Sequence, residues 1–196
     1  MSKSFGKDYL LWSEVSRTAE YDAAIFQVER AVRRADDGRQ GEFVLVNSPD
    51  WANVIAVVKD DGARDCFVMV RQYRQGSEEL SLEFPGGLVD DGEVPEEAAR
   101  RELREETGYE AQNFTLIGAV NPNPAFMTNT AYTFLATGIE RVSRQNLDAN
   151  EIVDAELIPV EEIEAGAHPG FHGHAIMVAA LYWYEKWKTG LRMPRG

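Results

Sequence analysis

The stretch that most constrains this chain runs from Gly87 through Glu93 to Arg101-Glu102-Leu103-Arg104-Glu105-Glu106-Thr107-Gly108-Tyr109. Pro95 suits the first turn of a helix, where a missing N–H costs nothing, and Gly108 suits the left-handed position just past the last turn. The spacing therefore predicts a helix over 95–107. On it Ala98, Ala99 and Leu103 form a small apolar face, while Glu102, Glu105 and Glu106 fall at i, i+3 and i+4 and project together. Like charges at that spacing destabilise an isolated helix by a few tenths of a kcal/mol per pair. A divalent cation would reverse the sign of that interaction, and magnesium, which takes oxygen ligands and keeps several waters, suits carboxylates that share it with substrate phosphates. A solvated acidic helix is the plainer reading of a charge run. The glycine-rich loop Glu83-Phe84-Pro85-Gly86-Gly87 just before it argues against that reading, since paired glycines let a backbone approach a ligand closely or take positive φ. Val94 stands where a Ser or Thr cap is usual, which weakens capping and leaves the acids untouched.

Gly87, five residues, Glu93, seven residues, then Arg-Glu-Leu, one residue, Glu-Glu, one residue, Gly-Tyr occupies every fixed position of the Nudix hydrolase signature, so this segment resembles that family closely. The resemblance implies an α/β fold, a Nudix-type α/β/α sandwich around a mixed β-sheet. It further implies hydrolysis of a diphosphate joined to another group. On the matching positions it makes Glu102 and Glu106 direct metal ligands, adds the Gly86 carbonyl as a further ligand, and has Glu105 assist or bridge. Glu93 and Arg101 then brace loop against helix. The implied cofactor is magnesium, with manganese as the substitute.

Outside the signature, Arg71-Gln72-Tyr73-Arg74 before the loop is similar to the ADP-ribose and nucleoside-diphosphate-sugar pyrophosphatases of that family. So are Pro124, placed as those enzymes place a proline, and Leu147-Asp148-Ala149-Asn150-Glu151-Ile152-Val153, which resembles the loop carrying their catalytic glutamate. Phe84-Pro85-Gly86-Gly87 departs from the subgroup's frequent Leu-Pro-Ala-Gly, and Ala149 stands where a second acid is often found. These departures leave the sugar open.

In the resulting scheme Glu151 orients or deprotonates the attacking water. Arg74, and less directly Arg71, neutralises phosphate, since only one face of a strand points inward. A surface ion pair is the competing role for both arginines. Trp51 and Tyr73 offer ring faces to a base or pack in the core, and Phe126, Met127 and Thr128 lie in a loop suited to lining a substrate pocket. Hydrolysis of free nucleotides or dinucleoside polyphosphates is the alternative enzymatic reading. A non-catalytic nucleotide sensor on the same fold is the third, and the intact acids disfavour it.

At 196 residues the chain can bury about 70% of its unfolded surface as one domain. Composition is that of a globular protein, with 44% apolar and 27% charged residues. No apolar run approaches the roughly 20 residues that span a bilayer, and Met1–Asp8 lacks a signal-peptide core, so a cytoplasmic protein is expected. A formal charge of −13 with no basic stripe excludes nucleic acid and anionic membranes as partners. The lone Cys66 sits in an apolar run and reads as a small core residue.

Alternating and apolar runs predict strands near 25–31, 43–46, 54–58, 67–70, 114–120, 130–137 and 156–159. A second helix is predicted over 175–188, with Ile176, Val178, Ala179, Ala180, Leu181 and Trp183 as its packing face. Residues 1–50 read as an N-terminal antiparallel β extension serving a homodimer, and 51–196 as the hydrolase domain. His168, His172 and His174 lack the further Cys or His that a transition-metal site needs and read as part of a mobile glycine-rich loop.

Overall fold

In the computed structural model, residues 8–147, 151–171 and 173–191 are described. The chain divides into two compact units, one taking in the chain up to Pro49 together with Asn123–Asn129, the other Asp50–Pro122 and the chain from Thr130 onward.

The first unit is an antiparallel sheet of β1 (Trp12–Asp22), β2 (Gln27–Ala35) and β3 (Gln40–Asn47), in that spatial order. Gly38, at φ 87°, makes the turn between β2 and β3. The sequence reading missed β1, whose residues are all exposed and carry no buried alternation. The strand exists through pairing with β2, from Trp12 opposite Ala35 to Asp22 opposite Gln27.

The second unit contains β4 (Trp51–Lys59), β5 (Asp65–Arg74), β6 (Glu79–Glu83), β7 (Gly86–Leu88), α1 (Pro95–Thr107), β8 (Tyr109–Val120), β9 (Ala131–Arg141), β10 (Val153–Pro159), α2 (Val160–Glu164) and α3 (Ala175–Lys188). Its sheet runs β10-β5-β4-β9-β8, with β6 paired to β5 and β7 to β4. The β4–β9 pair is parallel and the others antiparallel, which makes the sheet mixed.

Strand alternation feeds two cores. Ala52, Val54, Ala56 and Val68 pack with Ala98, Ala99 and Leu103 of α1 on one face. Ile55, Phe67 and Met69 pack with Ile176, Met177, Ala180, Leu181 and Tyr184 of α3 on the other. The result is an α/β/α sandwich. Both predicted helices have the predicted limits. The packing face of α3 is rotated from the expected one: Val178 is exposed, and Met177 and Tyr184 are buried in its place, because rows 176/180/184 and 177/181 are the ones the sheet covers. Cys66 is buried and unpaired. No helix among the described residues is long and apolar enough to cross a membrane.

Candidate active site

Strand β4 pairs with β5 over Val57–Lys59, and ahead of Val57 the loop before α1 takes up its edge: Val54 donates its N–H to the Pro85 carbonyl at 2.8 Å, and β7 pairs with the start of β4. The glycines of that loop serve by being small. Neither Gly86 nor Gly87 has positive φ, contrary to one expectation. A Cβ on Gly86 would collide with the Ala52 carbonyl oxygen, and one on Gly87 with the Glu102 carboxylate. Only glycine lets the loop lie this close to β4 and to the acidic face of α1.

Arg101 ties loop to helix. It makes a bidentate pair with Glu93 at 3.0 and 3.1 Å, donates to the Leu88 carbonyl at 3.0 Å, and reaches Glu102 at 2.7 Å and Glu105 at 3.4 Å. Its hydrogen bonds hold the Glu93 carboxyl below the usual carboxylate range.

Glu106 is only 3% exposed and accepts the Gly86 N–H at 2.8 Å. Burial pushes its carboxyl up to about 8, with the charges of Glu102 and Glu151 adding to the shift and the Gly86 N–H and Arg74 opposing it. Glu102 is raised too, by burial first and then by Glu151 and Glu105, against the pull of Arg101. Glu151, just ahead of β10, is thus brought from a distant part of the chain to the acids of α1. Asp148, Ala149 and Asn150 of its loop, like His172, lie outside the described residues.

Among the described residues no group of three or more His, Cys, Asp or Glu is already gathered for a metal ion. The chemistry of the acids nonetheless fits a hard divalent cation. Glu102 and Glu106 are buried carboxylates whose proton affinity is raised by neighbouring acids, Glu106 by Glu102 and Glu151, and Glu102 by Glu151 and Glu105, and an oxygen-seeking cation removes that repulsion.

Arg74 makes a bidentate pair with Glu83, at 2.7 and 2.5 Å, and Glu83 is 1% exposed. Burial acts to raise the Glu83 carboxyl, but the Arg74 hydrogen bond and charge, with His174 beyond, leave it below the usual range. His174 Nε2 stands 3.8 Å from Glu83. Burial pushes the His174 ring below its ordinary value despite that carboxylate. Arg71 points elsewhere, pairing with Glu156 of β10 at 2.5 and 3.0 Å.

A cavity of about 890 Å³ is lined by Trp51, Tyr73, Arg74, Ser81, His174 and the turns around Gly76 and Gly170. Trp51, Tyr73 and Arg74, far apart in their reasons for being singled out, therefore share one wall. Phe126, Met127 and Thr128 belong to the first unit, where Phe126 O accepts from Val46 N at 2.8 Å and Thr128 N donates to Val46 O at 3.1 Å. The histidine-containing segment is anchored by Phe171, which is fully buried, and His174 caps α3. Glu83 and His174 were not singled out from sequence as site residues. The one available signal was a carboxylate between apolar Leu82 and Phe84, where an acid is out of place without a partner.

Carboxylates crowded in this way serve a protein that brings a cation to them, and an arginine shared with a cavity suits an anionic ligand. That chemistry suits metal-assisted hydrolysis of a phosphate anhydride. Residues 49–181 match the NUDIX domain, and the chain belongs to the Nudix family as a Nudix hydrolase. Family members generally depend on a divalent metal. Over 127 residues the chain is 34% identical to an ADP-ribose pyrophosphatase of Bacillus subtilis, a match covering 64% of this chain and 66% of that protein. It is 31% identical over 183 residues to an ADP-ribose pyrophosphatase of Mycobacterium tuberculosis, covering 92% of this chain and 86% of the other. A crystal structure of an ADP compounds hydrolase shares the fold, with a TM-score of 0.76 at 23% identity over 91% of this chain and 95% of that one.

Proposed function

We propose that the chain hydrolyses the diphosphate bond of ADP-ribose or of another nucleoside-diphosphate sugar with magnesium, releasing a nucleoside monophosphate and a sugar phosphate. The observation that carries this reading is the placement of Arg74. It lines the cavity beside Trp51 and Tyr73, and its charge acts on both Glu106 and Glu151. One residue thus links a ligand-sized space to the acids. The ADP-ribose pyrophosphatases among the relatives supply the substrate class.

Magnesium, held by Glu102, Glu106 and the Gly86 carbonyl with Glu105 assisting, would lower the pKa of a water and offset the diphosphate charge. Glu151 orients that water or takes its proton. Arg74, fixed by Glu83, presents its remaining N–H to a phosphate oxygen, while Arg101 and Glu93 hold the loop against the helix. Arg71 is committed to Glu156 and is not among the residues lining the cavity, which leaves Arg74 as the phosphate-facing arginine. Tyr73 and Trp51 offer ring faces to the nucleoside or sugar.

The first unit, up to about residue 50, is proposed to pair two copies of the chain. Its β1 is exposed along its whole length and carries Trp12, Val15 and Tyr21. A monomer by light scattering would refute the pairing.

The functional test is a panel of ADP-ribose, other nucleoside-diphosphate sugars and free nucleotides, each with magnesium and with chelator. Magnesium-dependent release of a nucleoside monophosphate from a diphosphate sugar is the expected result. Turnover of free nucleotides alone would overturn the reading, as would no turnover.

A further inference from the structure

The cavity of about 890 Å³ meets the acids of the site through one side chain, Arg74, and the charges around that side chain are unevenly matched. Arg74 ends β5 and stands opposite Glu79 in the register of the β5–β6 hairpin, so the two share a face, and both line the cavity. Glu79 is exposed. Behind Arg74 its bidentate partner Glu83 is 1% exposed. One cation therefore stands between two carboxylates. Burial works to raise the Glu83 carboxyl, yet Arg74, His174 and Ser81 hold it below the usual range, so it keeps its charge at neutral pH. His174, in the same wall, is pushed by burial below its ordinary value and adds no positive charge there at neutral pH. Arg71, 3.9 Å from where a Cβ on the lining Gly170 would stand, is held in its own bidentate pair with Glu156.

Much of the remaining wall is uncharged. Trp51 and Tyr73 give ring faces, and Gln75, Ser77 and Ser81 give neutral hydrogen-bonding groups. Such a surface selects by charge. It offers stacking and neutral hydrogen bonds to a base or a sugar, whereas a further anion would meet Glu79 and Glu83 with the cation between them already bonded. Like charges brought together without a partner are a strong means of rejecting a ligand that otherwise fits.

Resting on the diphosphate-sugar reading above, we infer that this cavity admits an uncharged end of the substrate, a base or a sugar, and turns away an end that carries a further phosphate. Glu79 is the specificity-determining residue, and Glu83 supports it by neutralising the arginine that would otherwise attract the anion. A diphosphate whose sugar in the cavity is phosphorylated is then a poor substrate although its reacting bond is unchanged.

The kcat/KM for ADP-ribose is compared at about pH 8, above the ordinary imidazole range, with that for two analogues carrying one extra phosphate, on the nucleoside ribose or on the distal ribose. The acetyl ester at each of the same hydroxyls adds bulk without charge and serves as the control. Wild type should favour ADP-ribose over at least one phosphorylated analogue by at least about tenfold, and over its acetyl counterpart by less. The end with the larger ratio is the one that enters the cavity. Raising the salt from about 0.05 M to about 0.5 M should shrink that ratio, since screening acts on charge and not on bulk. In Glu79→Lys the ratio should fall toward one, and in Glu79→Gln it should fall partway. Equal use of ADP-ribose and both phosphorylated analogues would overturn the inference. So would an acetyl ester disfavoured as strongly as its phosphate, or a ratio that neither salt nor Glu79→Lys moves. Turnover of none of these substrates by wild type would instead overturn the functional reading, and this inference with it.

Discussion

The two least exposed glutamates among the described residues are Glu83 at the end of β6 and Glu106 near the end of α1, and their surroundings treat the charge in opposite ways. Glu83 meets the full fork of Arg74 and stays below the usual carboxylate range. Glu106 receives one backbone N–H, faces Glu102 and Glu151, and is pushed up to about 8. Burial is common to both, so the partner decides. The β6 end spends its buried acid on holding an arginine in place, whereas α1 keeps its acid short of positive charge, a state that favours a cation.

The largest expected effect is on Glu106→Gln. Turnover of the diphosphate substrate should fall by at least about a hundredfold, while the metal-free protein should become more stable. A carboxyl that titrates higher in the folded chain than its ordinary 4.5 contributes stability that is complete below that value and is lost as pH rises through about 8. The midpoint of metal-free wild type should therefore decline across that window, and Glu106→Gln should decline less. A level or rising wild-type profile with no difference from the variant would break the comparison.

Arg74→Met tests the other side. It leaves Glu83 buried without its cation and should cost about 2–4 kcal/mol in urea unfolding, a range reduced because the Arg74 side chain is partly exposed. The sign with pH is opposite here. Glu83 is lowered in the folded chain, so its contribution is present above the ordinary value and lost on acidification. Adding Glu83→Gln to Arg74→Met should recover most of the loss, and failure to recover would mean Arg74 acts through packing alone.

Gly86→Ala should cost about 1–3 kcal/mol, since its Cβ meets the Ala52 carbonyl oxygen. By shifting the N–H that Glu106 accepts, it should also weaken activation by magnesium, measured as the concentration for half-maximal rate. The smallest effect belongs to Arg71→Ala. Its pair with Glu156 is part-exposed on both sides, and its loss should change stability by less than about 1 kcal/mol. A larger change would place Arg71 with the buried pair of Arg74 and Glu83.

Much of the frame was readable along the chain. The limits of α1 and α3 follow from local signals, Pro95, Gly108 and apolar periodicity, which act within a few residues. The central strands β4 and β5 were legible because each carries a continuous apolar run that the sheet buries on both faces. β1 was not, being exposed throughout, and β6 and β7 are too short to show a period. In the candidate site the acids of α1 were legible because one helix carries them. The pairing of Arg74 with Glu83 was not, since it depends on the antiparallel pairing of β5 with β6.

The sequence by itself determined the family, the sandwich of helices on a mixed sheet, and the row of carboxylates on one helix face, because each is set by spacing along a single segment. Only the tertiary structure decided which of the buried charges would be neutralised. It turned Arg74 to Glu83 and Arg71 to Glu156, and brought the charge of Glu151 to bear on Glu102 and Glu106. Those outcomes depend on which strands meet and at what register, and on how much solvent the meeting excludes, quantities that no short stretch of sequence contains.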